Sequence, residues 1–559
     1  MSASSARVGA GSRALPVWPL FALTSLSALA ATGCLSILGA DFDGAHLDSS
    51  GTGGGSACGP DLTQACYDGP APTEGVGACR AGVRHCSADG LGFGECLGQV
   101  LPAASSCSAD DADVDCDGRT AAHVYSRVFG GSGVQRTRAM ALGGGRATLT
   151  GYAWGSMPLP EGELPPGLTI IQTLAADGKI AWGRSFGIPG TGAGLSIVAD
   201  SNGGVVLTAD ISEPHDFGDG ELAPVGNQDV VVGLDGLGNV VFSRFAGSQG
   251  ADTEDAVLAL ESNGDVIVAG WFIGPLEWGG QADSLDSGTE MHLYVARLRP
   301  DAASKTATAE WARDVGRVNG VTRVALDANG DILVTGAVVG TTDFGGGPIG
   351  GGGETSSFVV RMTADGTHLW SHTLGTFTDK NFGRALALLP DGSVVVAVPV
   401  EGVEPVQGPA DEDLDIEVVR FSKAGDVVWT RRFGGPGRDS PWDAAADPSD
   451  GSVVVVGAFK ETLDAGDCDV VSGGDSDAFA LKLDTADGHT LWVRSFGDQA
   501  LDHPVDEGWP ADIFYCVAVD PTDGSILVAG EFDGNVDFGG GVLFGEPANG
   551  ETVLARYRR

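Results

Sequence analysis

Alternating aspartates near the start of the chain form a pattern that could bind a hard cation. The residues are Asp111, Asp113, Asp115 and Asp117, and Gly118 follows the last of them. Calcium prefers several carboxylate oxygens, and glycine permits the sharp turn that brings such oxygens together. Position twelve counted from Asp113 is Val124 and not a bidentate glutamate, so the stretch is not an EF-hand. We expect either a Ca²⁺ site of another kind or a solvated acidic turn.

Motifs for catalysis are weak in this sequence. No histidine is followed by glutamate, which excludes a zincin helix, and there is no G-x-x-x-x-G-K-[ST] phosphate loop. The stretch "GGGPIG" (345–350) satisfies G-x-G-x-x-G, but no helix pattern follows it, as dinucleotide binding requires. We therefore expect that the chain is not an enzyme.

Composition narrows the class of protein. The chain has 559 residues, of which 89 are glycine, so one large repetitive domain is favoured over several ordinary ones. Asp+Glu number 75 against 32 Lys+Arg, which gives a formal charge of -43. Nucleic-acid binding requires clustered cationic side chains, so we expect no nucleic-acid partner.

The N-terminus has the features of an export signal. Arg7 and Arg13 precede an apolar run over residues 14–31, and Pro and Ser residues interrupt this run. The run ends in "ALAATGC" (28–34), which resembles the lipobox of bacterial lipoproteins and implies cleavage before a lipidated Cys34. Leu35 after this cysteine implies the outer membrane by the sorting habit of that family. Cleavage after Ala30 by an ordinary signal peptidase is the alternative, and the polar stretch 48–56 would be a flexible tether.

Cysteines are concentrated in one segment. Seven of the ten lie within about sixty residues, namely Cys58, Cys66, Cys79, Cys86, Cys96, Cys107 and Cys116. In an exported chain such density predicts disulfides, whose pairing the sequence leaves open. A lipidated Cys34 leaves nine thiols and hence at least one unpaired, whereas cleavage after Ala30 leaves ten.

This segment, from "CYDGPAPTEG" (66–75) to "DVDCDG" (113–118), resembles the cysteine-rich "putative metal-binding motif" module of bacterial surface proteins. The resemblance covers about sixty residues and rests on the order of the cysteines. It implies a divalent cation, with Ca²⁺ as the expected cofactor, at Asp111, Asp113, Asp115 and Asp117.

A longer repeat fills the remainder of the chain. Units that begin with an aromatic residue have a basic residue two positions on and a glycine five positions on. The aromatic residues are Tyr125, Trp182, Phe242, Trp311, Trp370, Trp429 and Trp492, at spacings of 57, 60, 69, 59, 59 and 63 residues. We expect seven structural repeats, in which the Arg and the aromatic residue pack against the neighbouring unit.

Each unit contains four short runs of alternating β-branched residues separated by Gly, Asp and Pro turns, without helix patterns. Four strands in each of seven units predict an all-β, seven-bladed β-propeller. The last unit ends at its third strand, "ETVLARYRR" (551–559), whereas the strand "VYSRVF" (124–129) has no partners of its own. We expect this N-terminal strand to complete the last blade and close the ring.

The units resemble the bacterial SBBP repeat, which is named for a seven-bladed β-propeller. The matching motifs are the hairpin D-x-x-G-[DS]-[VI]-[LIV]-V-x-G and the box "DFG" at 216–218, 343–345 and 537–539. The resemblance covers residues 123–559 and implies a module of secreted and surface proteins. Units one and five replace the box with "MPLPEG" (157–162) and "VEPVQG" (403–408), so we expect these loops to carry features specific to this chain.

We therefore expect a signal peptide (1–33), a tether (34–57), a cysteine-rich module (58–118) and a propeller (119–559). The predicted protein is a non-catalytic cell-envelope lipoprotein, located at the outer membrane through its lipid anchor, with a propeller that binds a surface protein or a polysaccharide. Secretion is the alternative location. A scaffold for envelope protein assembly is one alternative function. A quinoprotein-like enzyme is another, because "LDTADGHTLW" (483–492) and "ADGKIAW" (176–182) resemble the docking repeats of that family.

Two sets of loop residues are candidates for ligand binding. Polysaccharides stack on exposed aromatic rings, for which the candidates are Trp154, Trp271, Trp442 and Trp509. Acidic loops could bind a cation or a basic partner, and they contain Asp252, Glu254, Asp255, Asp439, Asp443, Asp502, Asp506 and Glu507.

Overall fold

A computed structural model describes residues 58–101 and 123–558, except for short gaps within both ranges. The gaps are residues 60–61, 70–78, 88–91, 132, 161, 188–193, 249–251, 281, 302, 378–384, 403–412, 467, 499–511 and 546–549. By compactness the chain divides into residues 1–57 and 58–559, and all of the first unit lies outside the described residues.

The described residues form β-strands, turns and loops and contain no α-helix. Accordingly, no helix in this part of the chain is long and apolar enough to cross a membrane. The all-β class predicted from the alternating apolar residues is confirmed.

The cysteine-rich segment has one small antiparallel pair, β1 (Thr63–Cys66) and β2 (Gly82–His85). It is held by the disulfides Cys58–Cys86 and Cys66–Cys96. Cys79 is disulfide-bonded as well. Disulfides in this part of the chain are thus confirmed, and they stabilise a segment with few buried apolar side chains.

The strands that follow begin with β3 (His123–Phe129) and then form seven successive groups, which we name sheets 1 to 7. Sheet 1 contains β4 (Gln135–Gly143), β5 (Arg146–Ala153), β8 (Gly167–Leu174) and β9 (Ile180–Ser185), with the hairpin β6 (Met157–Leu159) and β7 (Gly162–Leu164) between its second and third strands. Sheet 2 contains β10 (Gly194–Ala199), β11 (Val205–Ile211), β14 (Gln228–Leu234) and β15 (Val240–Phe245), with the hairpin β12 (His215–Asp216) and β13 (Glu221–Leu222). Sheet 3 contains β16 (Asp252–Leu260), β17 (Val266–Ile273), β20 (His292–Asp301) and β21 (Thr306–Arg317), with the hairpin β18 (Pro275–Leu276) and β19 (Leu285–Asp286).

Sheet 4 contains β22 (Gly320–Leu326), β23 (Ile332–Asp343), β24 (Pro348–Met362) and β25 (His368–Phe377). Sheet 5 contains β26 (Ala385–Leu388), β27 (Val394–Glu401), β28 (Leu414–Phe421) and β29 (Val427–Phe433). Sheet 6 contains β30 (Ser440–Asp447), β31 (Ser452–Asp464), β32 (Asp469–Asp484) and β33 (Thr490–Phe496). Sheet 7 contains β34 (Ile513–Val519), β35 (Ile526–Phe532), β38 (Glu551–Tyr557) and β3, with the hairpin β36 (Asn535–Asp537) and β37 (Val542–Phe544).

Each sheet is a meander of four antiparallel strands, and sheet 7 takes its outer strand from the N-terminal side. Strand β3 pairs with β38, with Ser126 opposite Ala555. Sheets 2 and 3 are joined by one parallel bridge between Gln228 and Thr253, which makes them a single eight-stranded sheet. An architecture of repeated four-stranded sheets is propeller-like.

The core lies between successive sheets. Seven apolar clusters fill these spaces, and each joins two sheets that follow one another. The cluster between sheets 7 and 1 also includes Trp442 and Ala458 of sheet 6. First strands also contact one another in chain order, and β34 of sheet 7 contacts β4 of sheet 1. Burial of both faces of each sheet explains why the middle strands are continuous apolar runs such as "VVVV" at 453–456.

The repeated aromatic residues hold the outer strand of one sheet to the next. Trp182 Nε1 of sheet 1 donates to the carbonyl oxygen of Gly236 in a turn of sheet 2, at 3.2 Å. Trp429 Nε1 donates in the same way to Thr485 of sheet 6, at 2.7 Å, and the Tyr125 hydroxyl donates to Ala175 of sheet 1, at 2.9 Å. These hydrogen bonds give the regular aromatic spacing a structural cause.

Basic residues of the third strands neutralise the aspartates of the first hairpin in several sheets. Arg361, which is fully buried, contacts Asp327 and Asp331. Lys482 contacts Asp447 and Asp450 at 3.2 and 3.1 Å. Hydrogen bonds from Ser452 and Lys482 lower the pKa of Asp450 to about 2 even though burial opposes that shift.

Candidate binding site

The loops between second and third strands, together with the connections between sheets, form one edge of the structure, which we name the loop edge. The first strands begin at this edge, and several of them carry a β-bulge close to their start. Register shifts lie between Thr137 and Ala139, Val321 and Arg323, and Pro441 and Asp443. Bulges redirect side chains at strand ends. Of the polar groups described below, all but the Asp484, Asp487 and His489 group lie near this edge, and that group lies in a turn between a third and a fourth strand.

One ion pair joins two sheets that do not follow one another along the chain. Arg323 Nε of sheet 4 contacts Asp443 Oδ1 of sheet 6 at 3.3 Å. Asp443 Oδ2 also accepts a hydrogen bond from the Val517 amide of sheet 7 at 3.0 Å. Burial raises the pKa of Asp443, and the Arg323 charge opposes this only in part. Cys516, a free and buried thiol, lies close to Asp443 and Arg323, and burial raises the pKa of this thiol. Asp443 is therefore an interior residue that pairs with Arg323 and accepts a hydrogen bond from Val517, and it is not an exposed loop residue.

An aromatic and basic surface lies on sheet 1, directly after β5. Trp154 is 49% exposed, and its amide donates to the carbonyl oxygen of Val134 at 2.9 Å. The guanidinium of Arg136 lies over the Trp154 ring, 5.3 Å from its centroid, and the Tyr152 ring meets it edge-on at 6.0 Å. Arg136 and Tyr152 are cross-strand partners. Neighbouring side chains thus hold a large exposed aromatic ring in place.

A small cavity opens beside this surface. Its lining includes Gln135, Arg136, Thr137, Tyr152 and Met157, and the space, counted with its opening to solvent, is about 230 Å³. Gln135 is fully buried, and neither atom of its side-chain amide has a hydrogen-bond partner. A buried amide without partners is costly, so a polar ligand group or a water molecule would be favourable in this cavity.

An acidic group lies where sheets 2 and 3 meet. Asp210 and Asp229 are direct cross-strand partners on β11 and β14. Burial, followed by the neighbouring carboxylate of Asp210, raises the pKa of Asp229 well above its ordinary value. Burial also raises the pKa of Asp210 to about 6, and Glu254 and Asp255 add to this shift. Two carboxylates are therefore buried next to each other, and no basic side chain is among the main groups that shift their pKa values.

A second acidic group is exposed on sheet 6. Asp484, Asp487 and His489 lie in the turn between β32 and β33, with their ligand atoms within 4.8 Å of one another. The Asp487 carboxylate contacts His489 Nδ1 at 2.7 Å. This turn belongs to "LDTADGHTLW" (483–492), the stretch that resembles quinoprotein docking repeats. Local hydrogen bonds explain its acidic residues, such as the one that the Ala486 amide donates to the Asp484 carboxylate at 2.7 Å.

The residues predicted from the sequence as site candidates differ in burial and bonding, and several lie outside the described residues. Of the candidate tryptophans in the described part of the chain, Trp154 is exposed, whereas Trp271 and Trp442 are buried and correct the expectation of exposed platforms there. Cys468, which we had not included among the disulfide candidates, is disulfide-bonded. Several predicted residues lie outside the described residues, namely Cys34, Cys107, Asp111, Asp113, Asp115, Cys116, Asp117, Asp502, Asp506, Glu507 and Trp509.

Comparison with known proteins gives a limited match. No family model matches the chain. The regulatory protein FlaEY of Caulobacter vibrioides is 32% identical over 197 residues, which are 33% of this chain. The chain spans only 20% of the length of that relative.

The similar solved structures match this chain at low identity and with low TM-scores. A puromycin hydrolase mutant in complex with PGG has a TM-score of 0.38 at 15% identity, covering 73% of this chain and 53% of that one. The quinohemoprotein alcohol dehydrogenase of Comamonas testosteroni has a TM-score of 0.36 at 11% identity, covering 75% and 66%. The polysaccharide lyase Uly1 has a TM-score of 0.39 at 9% identity, covering 79% and 93%.

One prediction from the sequence is corrected by this comparison. We had expected that the chain is not an enzyme, but the similar solved structures are mostly enzymes. The prediction is therefore withdrawn. Because these TM-scores are below 0.5, the likeness indicates no particular reaction.

Proposed function

We propose that this chain is a cell-envelope lipoprotein whose seven-bladed, closed β-propeller binds a polysaccharide at the loop edge of sheet 1. The observation that carries the proposal is Trp154, a half-exposed aromatic ring held by Arg136 and Tyr152 beside a cavity with both polar and apolar lining residues. Large rings of this kind provide apolar area for stacking at a low cost in conformational entropy.

The closed ring is supported by contacts that run in cyclic order. Apolar clusters lie between all successive sheets, and the last of them joins sheets 7 and 1. The Thr137 hydroxyl of sheet 1 donates to the Thr552 hydroxyl of sheet 7 at 3.0 Å. In a ring of seven blades, β3 would supply the fourth strand of the last blade and join the two ends of the chain, so that only short, protected sheet edges are left.

Polysaccharide binding is supported by two kinds of group in one place. A sugar ring offers an apolar face, which would stack on Trp154, and hydroxyl groups, which would reach the unpartnered amide of Gln135. The site also lies next to the hairpin β6–β7, where the "DFG" box is replaced by "MPLPEG". One of the two loops that depart from the repeat is therefore beside the proposed site.

Binding to a panel of immobilised bacterial polysaccharides tests this function. We expect the full chain to bind at least one of them and Trp154→Ala to weaken that binding by about 30-fold, which corresponds to about 2 kcal/mol. The matched control is Phe544→Ala, because Phe544 is also exposed but lies on sheet 7. Equal binding by the wild-type and Trp154→Ala proteins would contradict the proposed site.

The anchor is tested separately by the intact mass of the protein purified from the bacterial envelope. We expect a chain that begins at Cys34 and carries a diacyl-sized mass increment. A chain that begins at Ala31 without lipid would instead support a secreted protein, and it would leave the polysaccharide site to be judged by the binding assay.

A scaffold for envelope proteins is the second candidate function. It is favoured by apolar side chains on the hairpin β36–β37, where Phe544 is 78% exposed and Val542 is half exposed. Phe544→Ala would then reduce cross-linking to neighbouring envelope proteins without changing polysaccharide binding. The reverse result, in which Trp154→Ala reduces cross-linking, would contradict this scaffold surface.

A further inference from the structure

The pair Asp210 and Asp229 differs from the corresponding pair in every other sheet. The residues that take these two places are Tyr152–Leu168, Trp271–Leu293, Ala337–Ser357, Pro399–Ile416, Ala458–Ala478 and Glu531–Thr552. Two acids face each other only in sheet 2. The fold of a sheet therefore does not require this pair, and a separate role is indicated.

Three of the four carboxylate oxygens of this pair are buried without a hydrogen-bond partner. Asp229 is fully buried, and no donor contacts either of its carboxylate oxygens. Asp210 Oδ1 is also buried without a donor. Buried carboxylates are normally paired with a basic group or bound to a cation, because an uncompensated buried charge is very costly.

A neutral side chain supplies an independent observation. Tyr294 on β20 is fully buried, and its hydroxyl has no hydrogen-bond partner. The charges that act on this hydroxyl are those of Asp229, Asp255 and Asp210, which places it beside the acidic pair. A buried phenol oxygen without a partner therefore lies near two carboxylates whose buried oxygens also lack partners.

Further acidic groups surround this space from sheet 3. The Asp255 carboxylate accepts a hydrogen bond from Trp271 Nε1 at 2.9 Å, and the Asp255 backbone is left-handed, with φ of 58°. Glu254 accepts a hydrogen bond from the Asn227 side chain at 3.3 Å. Both residues lie at the bulge of β16, next to the bridge between Gln228 and Thr253 that joins the two sheets.

We propose that Asp210, Asp229 and the Tyr294 hydroxyl bind a divalent cation between sheets 2 and 3, with Glu254 and Asp255 adding negative charge around it. Carboxylate and neutral oxygens without nitrogen or sulfur ligands select a hard cation, and Ca²⁺ accepts the irregular geometry of such a set. The cation would hold the two sheets together at the loop edge. This site uses none of the residues of the acidic stretch from Asp111 to Asp117.

Calcium titration of the full chain after EDTA treatment tests the proposal, with thermal unfolding and calorimetry as readouts. At a Ca²⁺ concentration 100 times Kd, the ratio of folded to unfolded wild-type protein should rise about 100-fold. The double variant Asp210→Asn/Asp229→Asn should lose this response. It should also be more stable than the wild type without calcium, because the buried like charges are removed.

Two control variants separate this site from the other acidic groups. Asp484→Asn/Asp487→Asn should keep the full calcium response of the site between sheets 2 and 3. The triple variant Asp113→Asn/Asp115→Asn/Asp117→Asn should keep the stabilisation of the propeller, even if it loses a second binding event in calorimetry.

The proposal is overturned by either of two outcomes. An unchanged calcium response in Asp210→Asn/Asp229→Asn would place the bound ion elsewhere. No calcium binding by the wild type, together with stability that falls as the pH rises from about 4 to 6, would show that the pair shares a proton.

Discussion

Replacing Tyr125 with alanine tests whether strand β3 joins the two ends of the chain of sheets. Tyr125 is buried between sheets 7 and 1, and its hydroxyl is bonded to Ala175 of sheet 1 at 2.9 Å. Removal of a buried aromatic ring costs about 3–5 kcal/mol, and loss of the hydrogen bond adds about 1 kcal/mol. We therefore expect Tyr125→Ala to lower the free energy of unfolding by about 4–6 kcal/mol.

Urea denaturation followed by tryptophan fluorescence measures this loss. Tyr125→Phe separates the two contributions, because it keeps the ring and should cost only about 1 kcal/mol. Trp182→Ala is the matched comparison, since Trp182 holds sheets 1 and 2 together in the same way. If Tyr125→Ala lowers the free energy of unfolding by less than about 1 kcal/mol while Trp182→Ala lowers it by several, β3 does not hold sheets 7 and 1 together.

Three further predictions concern groups in the interior. Arg361→Met should cost about 3 kcal/mol, because the carboxylates of Asp327 and Asp331 then keep only the half-exposed Lys423 as a cationic partner. Arg299→Met, at a half-exposed site, should cost about 0–1 kcal/mol in the same denaturation assay. Burial raises the pKa of Glu531 to about 7, so its charge destabilises the fold increasingly as the pH rises from about 4.5 towards 7. Glu531→Gln should therefore raise the free energy of unfolding at pH 8 by about 3 kcal/mol and leave it nearly unchanged at pH 4. Equal effects of this substitution at both pH values would refute the prediction. Cys516 should react with a thiol reagent only after unfolding, and rapid labelling of Cys516 itself in the native protein, located by peptide mass mapping, would contradict its burial.

The sequence was informative about strands because its signals repeat. Apolar alternation and the aromatic spacing located the outer strands, such as β9 around Trp182 and β29 around Trp429. The recurring basic residue of the third strand was also visible, in "VVRM" (359–362) and "VVRF" (418–421), but we had not linked it to the aspartates of the hairpin. A repeat in sequence becomes a repeat in contacts, so such residues could have been predicted.

The candidate sites were harder to predict because they depend on single departures from the repeat. Asp210 and Asp229 are 19 positions apart across a loop, and nothing local shows that they face each other. Gln135 occupies an ordinary position at a strand start, and only the packed structure reveals that its amide lacks partners. Trp154, Trp271 and Trp442 look alike in the sequence, and their exposure is decided by the neighbouring sheet.

The most direct test of the account is a crystal structure of the full chain with a polysaccharide fragment that it retains. We predict that a sugar ring lies against Trp154 and that one of its hydroxyl groups bonds to the Gln135 amide. A fragment bound at another blade, with Trp154 and Gln135 free of contact, would contradict the proposed function.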